Sequence, residues 1–198
     1  MSFSLYDVSV PVFMRGLTIL STLLDKAEAH ASETGEPLES YLEARLAPDM
    51  LTLVGQVQRA SDTAKFGGAR LTGAPAPSFA DDETTFDQLR ERCTKTAAYL
   101  GTLAPTTFEG SDTRPVTFGG GANKQTLSAD RYVLQFALPN FFSTSPRPTT
   151  FCGIRAFRSA SGTTLVPTTP HQRSAFGVVH CEWQLVRSRE ERAPERSF

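Results

Sequence analysis

The chain has too few cysteines, and the wrong spacing between them, for a scaffold built on disulfides or zinc. Its 198 residues include three cysteines, Cys93, Cys152 and Cys181, and no two of them form a CxxC pair. An odd number of well separated cysteines favours neither a disulfide framework nor a zinc ribbon. Cys93 lies on a helical apolar stripe with no histidine close by in sequence, so we expect a small core side chain rather than a nucleophile.

A strong charge of one sign and a long hydrophobic run are also missing. The 20 basic and 21 acidic residues give a formal net charge of -1, which provides no electrostatic footprint for nucleic acid or an anionic membrane. No apolar run approaches the roughly 18 to 20 residues that span a bilayer, and the start "MSFSLYDVSV" has no basic segment before an apolar block. We therefore expect a cytoplasmic protein whose partners include neither nucleic acid nor a membrane.

What the sequence does contain is four segments with helical periodicity. Apolar residues recur at spacings of three and four, which places them on one face of a helix. We predict helices over about 8–31, 48–71 and 82–101 and from about 129 onward, with Gly35 in the left-handed cap position after the first and a short helical turn over "LESYLEARL". The stripes are Val10, Phe13, Leu17, Leu20 and Leu24; Met50, Leu53, Val54, Val57, Ala60, Ala64 and Leu71; Phe86, Leu89, Cys93, Ala97 and Leu100; and Tyr132, Val133, Phe136 and Ala137.

The period changes between the third and fourth helices. In "RPVTFGGGANKQTLSA", Val116 and Phe118 alternate with polar residues around a glycine run, which predicts a small hairpin or an extended loop. The triple glycine lacks the Lys-Ser/Thr ending of a phosphate-binding P-loop, so we interpret it as a turn. The whole pattern predicts an all-α, up-down antiparallel four-helix bundle with a hairpin or loop before the fourth helix.

One polar face of the second helix is the candidate ligand site. Gln56, Arg59, Asp62 and Lys65 follow one another at spacings of three, so they project from neighbouring positions on the helix. They could form an inward cluster that binds a small molecule. The alternative, which such a pattern more often represents, is a solvated face with an ordinary surface pair worth a few tenths of a kcal/mol.

Long motifs in a fixed order carry a resemblance to a known family. From residue 1 to about residue 142 the chain resembles the DUF1993 family, a DinB-like group of helical bundle proteins. The resemblance implies a DinB-like bundle of unestablished activity, and we expect a small-molecule-binding or stress-related protein that could form a homodimer through its helix faces. The matching strings are "SVPVFMRGL", "LLDKAEAHA", "LEARLAPDMLTLVGQVQRASDTAKFGGARLTG", "FADDETTFDQLRERCTKTAAYL" and "FALPNFF".

The wider DinB-like group suggests a second function class. Many of its members resemble metal proteins in which three histidines on facing helices hold a divalent ion, and this implies a metal-dependent hydrolase or thiol transferase as the alternative. This chain departs from that pattern, since its only histidines are His30, His171 and His180. We therefore assign no catalytic residue, no metal ligand and no cofactor, and expect a divalent metal only in an intact family member. A helix-turn-helix DNA-binding protein is a third alternative, which the long helices and the acidic bundle disfavour.

The family pattern stops abruptly after Phe142. In the family a run such as "FHVTTAYDILRH", followed by "GVPLGKRDYL", continues the last helix, whereas here the chain continues as "STSPRPTTFCGIRAFRSASGTTL". If one base was lost before the codon of Ser143, the codons of residues 143–165 can encode the family run when they are read in the restored frame. The amino acids observed here constrain the middle base of nearly every restored codon. The restored frame places a histidine at the position of Thr144.

The composition of the last segment agrees with a change of reading frame. Residues 143–198 contain eight arginines without lysine and four glutamates without aspartate. We therefore divide the chain into a bundle domain, 1–142, and an out-of-frame or disordered tail, 143–198. The fourth helix is then truncated and the tail is irregular. The alternative is a genuine disordered extension. Each large core side chain that is lost costs about 2 to 5 kcal/mol, whereas the total stability of a domain is about 5 to 15 kcal/mol. We therefore predict a poorly folded, functionally impaired protein.

Overall fold

The computed structural model describes residues 4–144. Three predictions concern residues 143–198: the frame change, the truncation of the last helix and the irregular tail. Apart from 143 and 144, these residues lie outside the described part. The chain divides into two compact units, whose described parts are 4–116 with 127–144, and 117–126. The helices are α1 (Leu5–Thr34), α2 (Leu38–Leu42), α3 (Leu53–Thr72), α4 (Phe86–Gly101), α5 (Ala129–Arg131) and α6 (Leu138–Thr144), with a π-helical turn (Tyr132–Ala137) joining the last two.

Local signals set both ends of α1. Ser4 and Asp7 form a capping box, in which the Ser4 hydroxyl accepts from the Asp7 amide and the Asp7 carboxylate accepts from the Ser4 amide. At the other end Gly35 has φ of 69°, the left-handed cap conformation that was predicted for it. The helix is therefore one turn longer at each end than its apolar periodicity indicates.

The length and composition of α1 correct one expectation. Its best 18-residue window has a mean hydropathy of 1.3, so by these two criteria alone the helix could cross a membrane. Of that window, 39% is buried inside the structure. The buried residues include the predicted stripe, Val10, Phe13, Leu17, Leu20 and Leu24. A core helix passes the same test, so this property of α1 is a weak indication of a membrane span.

Side-chain caps also set the starts of α3 and α4. The Thr52 hydroxyl accepts from the Gly55 amide, so α3 begins at Leu53 and not at the predicted Pro48. Thr85 caps α4 and forms a capping box with Gln88, so this helix begins at Phe86 and not at the predicted residue 82. Both differences arise because a cap depends on backbone geometry that hydrophobic periodicity does not report.

The helices pack into one bundle, which confirms the all-α prediction. α1 lies against α3 and α4, and α3 also lies against α6. Arg90, in the first turns of α4, bonds to Asp25 and Glu28 near the C-terminal end of α1 at 3.1 and 2.8 Å, so these two helices are antiparallel. The buried apolar residues are Leu5, Val10, Phe13, Leu17, Leu20, Leu24, Ala27, Ala31, Tyr41, Leu42, Leu53, Val57, Ala60, Ala64, Ala69, Leu71, Phe86, Leu89, Cys93, Leu100, Leu103, Phe108, Val116, Phe118, Ala129, Tyr132, Val133, Ala137 and Phe141.

One detail of the up-down arrangement differs from the prediction. Ser61 and Thr96 share a hydrogen bond of 2.7 Å, and one to two turns later Gly68 lies beside Leu100. The two helices, α3 and α4, therefore run in the same direction. The segment 73–85 makes this possible, because 13 extended residues reach about 43 Å, more than the roughly 30 Å length of α3.

The predicted hairpin is present. Strands β1 (Pro115–Phe118) and β2 (Gln125–Ser128) form a two-stranded sheet, and the hydroxyls of Thr117 and Thr126 lie 2.9 Å apart across it. Gly119 has φ of 79°, a conformation that favours glycine. The triple glycine therefore makes a turn, as its sequence context indicated.

The last helix docks through a close contact with α1. The Phe141 ring packs edge-on against Phe13 at 5.2 Å between centroids, and a Cβ built on Gly16 would overlap the Phe141 ring. A Cβ on Gly67 would come within 3.0 Å of Phe13. Glycines at these positions therefore let the helices approach closely.

We expect Gly16→Ala to lower the free energy of unfolding by about 1 kcal/mol or more. Overpacking against the buried Phe141 ring costs roughly 1 to 3 kcal/mol, which exceeds the gain of up to about 1 kcal/mol in helix propensity. The matched control is Gly101→Ala, where a Cβ would meet only Met14 Cε at 4.0 Å. Urea denaturation of both variants tests this, and equal stabilities would contradict the described docking of α6.

Candidate functional site

A cluster of charged side chains lies where α3, α4 and the segment 73–85 meet. We call it the charged seam and define it as Asp62, Lys65, Asp81, Glu83 and Arg92. Two of these residues belong to α3, one to α4 and two to the connecting segment. The seam therefore links α3, α4 and the segment 73–85 through ion pairs in addition to their hydrophobic contacts.

Arg92 is the centre of the charged seam. Its side chain is only 2% exposed; Nη2 bonds to Asp62 Oδ1 at 2.9 Å, and Nη1 bonds to Glu83 Oε1 at 2.7 Å and Asp81 Oδ1 at 3.0 Å. Nη1 also donates to the Ala80 carbonyl at 3.0 Å. Burial lowers the pKa of Arg92, but the hydrogen bond with Glu83 and the charges of Asp62, Glu83 and Asp81 outweigh it and raise the pKa overall. Arg92 is thus a permanently charged buried group.

Lys65 is the second buried cation of the seam. Its side chain is 4% exposed, and Nζ lies 3.0 Å from Asp62 Oδ1. The ammonium also lies 4.7 Å from the Phe66 ring centre and 4.5 Å from that of Phe79. Because the Arg92 guanidinium lies 5.5 Å from the same Phe79 ring, this ring contacts both cations. Phe79 therefore helps to hold the segment 73–85 on α3 and α4.

Two of the four residues predicted as a ligand site lie in the charged seam. Asp62 and Lys65 pair with each other inside the seam. Gln56 is buried and donates from Nε2 to the Leu51 carbonyl at 3.0 Å, which ties the start of α3 to the preceding chain. Arg59 is half-buried on the same helix. Since Lys65 is buried, the alternative of an ordinary surface pair does not describe it, and the ligand-binding role of the four residues stays a prediction.

Sequence reasoning missed Phe79, Asp81, Glu83 and Arg92. Phe79 and Asp81 lie just before the predicted third helix, Glu83 lies in its predicted first turn, and Arg92 lies between the apolar positions of α4. A signal was present in the acidic run "DDE" a few residues before a helix that carries two arginines. It indicates that charges are close in sequence, but not that they are buried together.

The described residues do not fit the three-histidine metal site that the DinB-like resemblance implies. Between residues 4 and 144, no group of three His, Cys, Asp or Glu side chains is arranged to hold a metal ion. His30 packs against the Tyr41 ring at 6.3 Å between centroids. Burial raises the pKa of Cys93 to about 12, which disfavours the thiolate that a metal or a nucleophilic mechanism needs. We therefore derive no metal-dependent step from these residues.

We expect Arg92→Met to lower the free energy of unfolding by about 3 kcal/mol. The substitution roughly keeps the side-chain volume but removes the cation that Asp62, Asp81 and Glu83 share. Breaking a fully buried pair costs about 3 to 5 kcal/mol, and these carboxylates are only partly buried. The control is Lys95→Met on the same helix, which removes an exposed pair with Glu91 worth no more than about 0.5 kcal/mol. Urea denaturation measures both, and a stable Arg92 variant would show that the seam does not hold the fold together.

Comparison with known proteins agrees with the observed bundle. The family model described as domain of unknown function DUF1993 matches residues 5–143. A crystal structure of a DinB family member protein from Shewanella denitrificans has 32% sequence identity and a TM-score of 0.69, with 83% of this chain and 94% of that chain covered. No curated protein matches the chain. The resemblance inferred from the sequence motifs is thus confirmed, and the chain belongs to the DUF1993 family of DinB-like helical bundle proteins.

Proposed function

We propose that this protein binds a small molecule in the cytoplasm, on the polar face of α3, without catalysing a reaction. The observation that carries the proposal is the position of Asp62. Its Oδ1 contacts both Lys65 and Arg92, whereas no described residue donates a hydrogen bond to its Oδ2. The side chain is 23% exposed, so this second oxygen is available to a ligand.

The charged seam fixes the carboxylate before a ligand arrives. Two buried cations hold Oδ1 from different helices, and Phe79 packs against both cations. A binding group held in this way loses little conformational entropy when the ligand binds, and this favours affinity. Because Asp62 is an acceptor, the expected ligand presents an N–H or O–H donor, such as an amine, amide or alcohol. The homodimer expected from the sequence stays a separate prediction.

Asp62→Asn is expected to weaken ligand binding about tenfold or more, because a hydrogen bond to a charged group is worth roughly 1.5 to 3 kcal/mol. The measurement is a thermal-shift screen of the full chain against amines, amides and alcohols, followed by affinities for the compounds that bind. Asp81→Asn is the matched control, since it also removes a carboxylate from Arg92 but leaves Asp62 intact. Equal affinity in the two variants would place the ligand elsewhere.

We propose in addition that residues 143–165 are the C-terminal part of the family domain translated one base out of frame, so that the binding protein is impaired as written. The end of the family match at residue 143 supports this proposal. So does Thr144, whose side chain is buried and donates to the Asn140 carbonyl at 3.0 Å. The restored frame would place a histidine at this inward position.

The nucleotide sequence around the codons of Phe141 to Ser143 tests the frame proposal. We expect that adding one base there, or moving a splice boundary, opens a frame that encodes the run "FHVTTAYDILRH" or a close variant of it. Sequencing both genomic DNA and transcript distinguishes an error in the gene sequence from a real variant. If no single-base change opens such a frame, the proposal is wrong and the segment is a genuine extension.

A further inference from the structure

Arg70 lies in the last turn of α3 between two aromatic rings. The centre of its guanidinium is 5.2 Å from the Phe66 ring and 5.8 Å from the Tyr132 ring. Its Nη1 donates to the Tyr132 hydroxyl at 2.9 Å, which joins α3 to the π-helical turn before α6. The rings and this hydrogen bond hold the guanidinium in a defined position.

Arg70 differs from three other buried or half-buried cations in the charges around it. Lys65, Arg90 and Arg92 each contact at least one carboxylate. No carboxylate among residues 4–144 lies within 4 Å of Arg70, although its side chain is half-buried. The carbonyl end of α3 and the two rings compensate this charge in part. An anion would complete the compensation.

We propose that Arg70 and Phe66 form a binding site for a small aromatic carboxylate. Since Nη1 bonds to Tyr132, the guanidinium retains the Nε and Nη2 edge, which matches the two oxygens of a carboxylate. Phe66 is 38% exposed, so its ring offers an apolar surface against which the ring of the ligand can stack. The site thus pairs a planar donor group with an aromatic surface.

This site does not depend on the site proposed at Asp62. Arg70 follows Asp62 by eight residues, which corresponds to about 12 Å along a helix. The two sites also select opposite chemistry, because Asp62 accepts hydrogen bonds whereas Arg70 donates them. A variant at Arg70 therefore tests only this proposal, whereas Phe66 also contacts the Lys65 ammonium of the charged seam.

The experiment measures binding of 4-fluorobenzoate to the full chain by fluorine NMR. We expect Arg70→Lys, which keeps the charge but loses the planar edge, to weaken binding at least fivefold, and Phe66→Ala to weaken it as well. Arg114→Lys is the matched control, because Arg114 lies at the same end of α3, where Nη1 donates to the Leu71 carbonyl at 3.0 Å, and it too has no carboxylate partner within the described residues. That variant should bind as the unchanged protein does.

Three outcomes would overturn the proposal. The first is that the unchanged full chain does not bind 4-fluorobenzoate, and the second is that Arg70→Lys and Arg114→Lys weaken binding equally. The third is that inorganic phosphate displaces 4-fluorobenzoate as well as unlabelled benzoate does, because the aromatic ring would then contribute nothing to recognition. Loss of binding only in the Arg70 and Phe66 variants supports it.

Discussion

The burial of the Arg92 guanidinium is the constraint on which the rest of the structure depends. A buried charge is tolerated only when hydrogen-bonding partners of opposite charge replace water. Arg92 obtains them from Asp62 on α3 and from Asp81 and Glu83 on the segment 73–85. These contacts keep the segment against α3 and α4, which run in the same direction.

The charged seam also determines which polar groups of α3 are already bound by other side chains. Lys65 and one oxygen of Asp62 are used within the seam, and Gln56 is used at the start of the helix. The other oxygen of Asp62 and the planar edge of Arg70 are not bound by described residues. The polar groups of α3 that lie nearest the core are thus already engaged by other parts of the chain.

Docking of the last helix depends on a different kind of contact. Phe141 is fully buried and fits against α1 because Gly16 has no side chain. The family match ends at residue 143, two residues after this contact. The change in sequence character therefore begins just after the contact that fixes α6, so the described part of the bundle keeps its docking residue.

Much of the fold followed from the sequence because it depends on local physics. Periodicity identified the helices, Gly35 the end of α1, and alternation around a glycine run the hairpin. The spacing of Asp62 and Lys65 likewise predicted that they are neighbours on one helix face, since an α-helix fixes the positions of residues three apart.

Only the tertiary structure decided what those residues do. The partner of Asp62 is Arg92, 30 residues away, and Arg70 meets Tyr132 across 62 residues. No periodicity links such positions, because side chains distant in sequence meet only when helices pack. Burial likewise turned the Asp62–Lys65 pair into part of a buried ionic cluster. The sequence by itself determined the helices, the family and the residues on each face. The packing of α3 against α4 and against the π-helical turn decided which charged side chains meet a partner distant in sequence.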